Sequence, residues 1–181
     1  MNTIECIKTR RSVRSYTEQP IEREVIEKIA EAASYAPSWK NSQTIRYWIV
    51  SDHEKIKKIA DEGVCGFEFN ANTLKRCTML AVQTVVTGTC GYEPDGSFST
   101  NKEDGWEMYD AGVSAQTFCL AAHEYGVGTV IMGLIDDEKI SQILGIPETE
   151  TVSSLIAMEY PSEERPAPGR KTVGELVRFD F

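Results

Sequence analysis

Residues 110–133 read DAGVSAQTFCLAAHEYGVGTVIMG, and the parsing of this stretch decides the fold. With the residues before it, it continues a helical pattern over 106–126 in which Ala111, Gly112, Ala115, Ala121 and Ala122 make small-residue faces. Such a helix can be buried on most sides, within one subunit or between two. Gly126 suits its C-terminal cap, and GTVIM (128–132) reads as a strand. The glycines invite a dinucleotide reading, but G-x-G-x-x-G needs glycine at 131, where Ile131 stands. They also precede a strand instead of following one and opening a helix. A Rossmann fingerprint is therefore excluded. Gly133, just past the strand, would let a flat ligand approach the backbone; taken alone, an ordinary strand-end turn is the simpler reading.

Outward from this unit, the chain alternates helices and strands. IEREVIEKIAEAASY (21–35) places Ile21, Val25, Ile26, Ile29, Ala30 and Ala33 at helical spacing between Pro20 and Pro37. RYWIV (46–50) and TMLAVQTVV (78–86) read as buried strands, and SLIAMEY (154–160) as another. Asp52 caps a helix closed by Gly63, and 136–147 is a capped helix ending at Gly145. The polar, glycine-rich run 87–103 is long enough to be functional or mobile. The tail TVGELVRFDF predicts one helical turn and then an extended end. The alternation predicts an α+β or α/β sandwich, without choosing between them. At 181 residues, one domain over 1–181 is expected.

Bulk composition narrows the function. The net charge of −9 argues against nucleic acid or an anionic membrane surface as the main partner. No apolar run has spanning length and no leader is visible, so a cytoplasmic location is expected. Five cysteines without CxxC spacing and two histidines seventy residues apart support neither a disulfide framework nor a metal site.

Against that acidic background, TRRSVRSY (9–16) gathers Arg10, Arg11 and Arg14 within five positions. An extended conformation would point Arg10, Ser12 and Arg14 to one side, where guanidinium forks suit a phosphate. A second candidate is APSWKNSQ (36–43), whose Ser38, Asn41, Ser42 and Gln43 offer polar groups between a helix and a strand. A self-satisfied connection explains it as well.

These three stretches, in this order, resemble the FMN-dependent nitroreductase family. TRRSVRSY is similar to its R-R-S-x-R-x-[FY] motif, and APSWKNSQTIRYWIV to A-P-S-x-x-N-x-Q-x-W-x-F-x-V. Residues 110–133 are similar to D-x-G-x-A-x-Q-N-x-x-L-x-A-x-x-x-G-x-G-x-x-x-x-G. The resemblance spans nearly the whole chain. It implies an α+β, three-layer sandwich with a central, mainly antiparallel sheet flanked by helices. It also implies an intertwined homodimer holding FMN at the interface, each FMN touched by both subunits.

By position, the resemblance puts Arg10 and Ser12 at the FMN phosphate, Arg14 nearer the pyrimidine, and Arg170 and Lys171 as further phosphate cations. Arg11, Pro37 and Gln43 count among the cofactor contacts. Ser38 and Asn41, from the partner subunit, would border the isoalloxazine. Asn72 with Lys75 resembles the family's N-x-x-K pair, Asn70 being the alternative. Met132 and Gly133 would lie against the ring, the Gly133 N–H near N5; many members carry Glu where Met132 stands. Trp39, Lys40 and Trp106 would form a substrate pocket, with 87–105 as a lid, and the VRFDF end would pack on the other subunit.

The implied chemistry is ping-pong hydride transfer through flavin N5, from NADH or NADPH to a small acceptor such as a nitroaromatic or quinone. It requires no catalytic side chain and no metal. Alternatives are a flavin-dependent reductase of an enone or halogenated aromatic, or an FMN-binding carrier or regulatory protein with little turnover.

Overall fold

The computed structural model describes residues 1–163 and 166–181. Its elements are α1 (Thr3–Thr9), α2 (Arg23–Ser34), β1 (Ile45–Val50), α3 (His53–Glu62), α4 (Glu68–Leu74), β2 (Met79–Val86), α5 (Gly105–Glu124), β3 (Gly128–Met132), α6 (Asp137–Leu144), β4 (Glu150–Glu159) and α7 (Val173–Leu176). The strands form one antiparallel sheet in the order β1-β2-β4-β3. This settles the choice as α+β, because no parallel pair joins these strands.

Alternation along β2 separates two cores. Leu80 and Val82 pack with Ile56 and Ile59 of α3, Leu74 of α4 and Ile140 of α6. Met79 and Ala81 face the other way, onto Ile29 of α2 and Phe118, Cys119 and Ala122 of α5. Helices thus cover both faces of the sheet, in three layers.

Two elements were absent from the sequence reading, and one was too short there. α1 is capped by Asn2, whose side chain accepts from the Glu5 N–H, yet buries only Cys6. α4 is equally short. β4 begins at Glu150, four residues before the apolar run expected for it.

The long helix is buried on one side within this chain. Its buried residues, Glu107, Asp110, Ala111, Ser114, Ala115, Phe118, Cys119 and Ala122, form a single stripe at three- and four-residue spacing. Met108, Tyr109, Gly112 and Gln116 are exposed, and no charged residue lies on that outer face between 108 and 120. Within one chain, this helix is half covered.

Candidate functional site

The arginine stretch runs as an added edge beside β3. Val13 N–H donates to the Thr129 carbonyl at 3.0 Å, and Thr17 N–H to that of Tyr160 at 3.1 Å. Val13 is buried, and the Tyr16 hydroxyl returns to the Val13 carbonyl at 3.0 Å. The apolar residues of R-S-V-R-S-Y therefore anchor the strand while its cations face outward. Arg10, Ser12 and Arg14 line a common cavity of about 570 Å³, as the alternation predicts, but Arg11 reaches it too.

Arg170 lines the same cavity, and so do Arg76 and Phe69, which sequence reasoning missed. Arg14 lies over the Phe69 ring, 5.2 Å from its centroid. Arg76 follows α4 directly beside Lys75; the adjacent basic residue was the available signal. Among the described residues, the five arginines have no ion pair and no acidic side chain lines the cavity. Arg11 holds its Nη1 on the Lys8 and Arg10 carbonyls, both at 2.7 Å, while its buried Nε has no hydrogen-bond partner. Five guanidinium groups around one void, none ion-paired among the described residues, suit a multiply charged anion.

The second stretch is a strained turn. Lys40, Asn41 and Gln43 have φ of 47°, 56° and 49°, the left-handed region that costs a non-glycine residue about 1–2 kcal/mol. Three of the six such non-glycine residues described fall here, so strain is concentrated at this turn. It is held from several sides. Ser38 Oγ accepts from Gln43 N–H at 3.0 Å. Asp110 Oδ2 accepts from Trp39 N–H at 2.7 Å and from the Cys90 thiol at 3.1 Å. Lys40 Nζ meets Glu93 at 3.1 Å.

The 87–103 run is therefore tied down, with Gly88 N–H also donating to Glu107 Oε1 at 2.8 Å and Trp106 Nε1 donating to Thr100 Oγ1 at 2.8 Å. Burial, together with the Asp110 carboxylate, pushes the Cys90 thiol up to about 12, and burial also raises Glu107. Trp39 and Trp106 sit with ring centroids 4.8 Å apart, and Tyr109 packs edge-on against Trp106 at 5.4 Å. Two small voids adjoin the turn. One, of about 180 Å³, is lined by Pro37, Ser38, Gln43 and Asp110 among others. The other, of about 260 Å³, is lined by Ser38, Trp39, Trp106 and Asp110. Asp110, Glu107 and Cys90 carried no sequence signal of this role.

The two stretches do not meet within the chain. The arginines flank β3 and the turn leads into β1, which are opposite edges of the sheet. Three strand spacings, about 14 Å, separate those edges. Gly133 is exposed beyond β3, with nothing within 4 Å of where a Cβ would stand, so its backbone is open to a neighbour; Met132 before it is buried. Asn70 is buried and Asn72 exposed. Lys75 is paired with Asp61 at 2.6 Å. None of these five lines the arginine cavity, and neither does Lys171.

The nitroreductase family model matches residues 7–160. The chain belongs to the nitroreductase family. Another similarity is to an Archaeoglobus fulgidus protein provisionally named an NADH dehydrogenase/NAD(P)H nitroreductase, 33% identical over 168 residues, covering 89% of this chain and 88% of that one. A Methanothermobacter thermautotrophicus protein with the same name is 30% identical, covering 99% and 86%. Among solved structures, an FMN-dependent nitroreductase from Clostridium difficile superposes with a TM-score of 0.79 at 27% identity, covering 99% of each chain. The three-layer architecture is thus that of a nitroreductase.

Proposed function

We propose that this chain is an FMN-dependent NAD(P)H oxidoreductase that reduces an electron-poor small acceptor, such as a nitroaromatic or quinone. The observation that carries this reading is the cavity of about 570 Å³ bordered by Arg10, Arg11, Arg14, Arg76 and Arg170, with no carboxylate among its described lining residues. The donor set fits the cofactor, since a dianionic phosphate would meet several guanidinium forks, and the unpartnered Arg11 Nε is a donor still to be satisfied. When bound, FMN supplies hydride transfer at N5, taking electrons from a reduced nicotinamide and passing them to the acceptor.

This chain's residues bind, orient and shield. Arg10 and Ser12 hold the phosphate, with Arg76 and Arg170 closing the cradle. Arg14, stacked on Phe69, sets a cation nearer the pyrimidine, where negative charge on reduced flavin is stabilised. The Gly133 backbone, unobstructed on its outer side, borders the ring. Ser38 and Asn41 border it from the second copy of a homodimer, since the turn and the arginines lie at opposite sheet edges. The uncharged outer face of α5 and the exposed Val173, Leu176, Phe179 and Phe181 supply surface for that dimer. Trp39, Lys40 and Trp106 line the acceptor side. No helix among the described residues is long and apolar enough to cross a membrane, which suits a cytoplasmic enzyme.

The test is an absorbance spectrum of the purified protein followed by anaerobic NADH and NADPH. A flavin spectrum that bleaches with either supports the reading. A protein that stays colourless after added FMN defeats it, and a flavin that neither donor reduces defeats the NAD(P)H half.

A further inference from the structure

We propose that Asp110 is a positioning residue that holds the 38–43 turn and the 87–103 loop in register with each other, and so sets the wall of the acceptor side. For its effect on catalysis this rests on the flavin reading above; for the geometry it does not.

The carboxylate is 4% exposed and has no ion pair among the described residues. A buried charge without a cation is costly, and packing α5 against the sheet does not require one. A neutral side chain of similar size would fill the same space. What the carboxylate does instead is accept two hydrogen bonds from two different loops, at one oxygen. Trp39 N–H, at the entrance of the left-handed turn, donates at 2.7 Å, and the Cys90 thiol donates at 3.1 Å.

Glu107, one helical turn earlier, takes the Gly88 N–H at 2.8 Å. Lys40 and Glu93 join the same two segments on their outer side at 3.1 Å. The links close a ring: Trp39 to Asp110, Asp110 to Cys90, along the chain to Glu93, across to Lys40 and back to Trp39. The Lys40–Glu93 arm is exposed on both side chains, where such a pair contributes little. The buried arm at Asp110 therefore governs the ring. Asp110 also stands on the wall of both small voids, as do Pro37 and Ser38, so moving it displaces both.

The decisive variant is Asp110→Leu, which keeps a similar volume while removing both acceptor oxygens and the charge. Hydrogen exchange on the cofactor-free protein reads the geometry. The expected result is faster exchange in both 39–43 and 88–103, with β2 and β4 unchanged. An increase in only one segment, or none, overturns the proposal, and an increase spread through β2 and β4 shows a general stability role instead.

Titration with FMN and steady-state turnover with a simple quinone read the consequence. FMN affinity should fall about tenfold or more, the range expected for a hydrogen bond to a charged group. In FMN-saturated protein the loss should appear mainly in KM for the quinone, which a loss of folded protein would not produce. Wild-type affinity and KM in the variant overturn the catalytic half. A wild-type protein that binds no FMN sinks the flavin reading, and the exchange data still decide the role of Asp110.

Discussion

Gly128 and Val13 are in contact so close that a Cβ at position 128 would lie 2.7 Å from the Val13 side chain. That distance is below any real Cβ contact, and Val13 belongs to the segment that carries the arginines. One missing methyl group thus lets the N-terminal strand lie flat on β3, with Val13 N–H on the Thr129 carbonyl. Gly128→Ala is expected to destabilise the protein by about 1–3 kcal/mol, the usual range for overpacking. It should also weaken FMN binding, because the displaced strand carries Ser12 and Arg14. Thermal melts with and without FMN check both, and a variant with wild-type melting and affinity would show that the strand does not depend on this contact.

Arg10→Ala together with Arg14→Ala should lower FMN affinity by about a hundredfold or more, since each removes charge-assisted hydrogen bonds of about 1.5–3 kcal/mol. Arg76→Ala alone should cost about tenfold on the same scale. Fluorescence titration of cofactor-free protein decides. Undiminished affinity in the double variant would take the phosphate away from this cavity.

The mass in solution should be that of two 20.2 kDa chains. Met108 and Tyr109 on the uncharged face of α5 and Phe179 and Phe181 at the C-terminus are exposed, more apolar surface than a monomer leaves open. Light scattering at micromolar concentration measures it. Deleting 173–181 should shift the population toward monomer, and a wild-type monomer would remove the dimer from the proposed mechanism.

Stability should decline as pH falls below neutrality in a way that depends on His123. Burial first, then the Arg10 and Arg11 guanidinium groups, lower its pKa below the ordinary 6.5. Folding therefore favours the neutral ring. Its contribution is complete above about 6.5 and is lost as pH drops toward the lower folded-state value. Denaturation midpoints between pH 7.5 and 5 should show this decline, and His123→Gln should flatten it. Inorganic phosphate at the arginines should also lessen it, because the anion offsets their repulsion of the imidazolium; a pH profile identical in wild type and variant would refute the linkage.

β2 was legible as a near-continuous apolar run, buried at all but its last residue, and α2 and α5 by apolar or small residues recurring three to four apart. α1 and α4 were not, since seven residues with one or three buried side chains give periodicity too little length to register. The arginine cluster announced itself by density against a net charge of −9. Arg76 did not, because only the fold brings the end of α4 beside residues 10–14. The left-handed Lys40 and Gln43 were equally invisible: glycine would have signalled such a backbone, whereas here tertiary hydrogen bonds hold it. Asp110 opened the 110–133 motif, but the motif gave it no role until its two donors were in place.

With the arginines and the strained turn at opposite sheet edges, the proposed dimer would make cofactor loading and self-association a single linked equilibrium. If each flavin needs the arginines of one chain and the turn of another, dilution below the dimer's dissociation constant strips cofactor even at fixed free FMN. Added FMN, conversely, pulls chains together by mass action. Apparent affinity for the flavin then becomes a function of protein concentration, and a cell holding few copies of this chain would hold them largely empty.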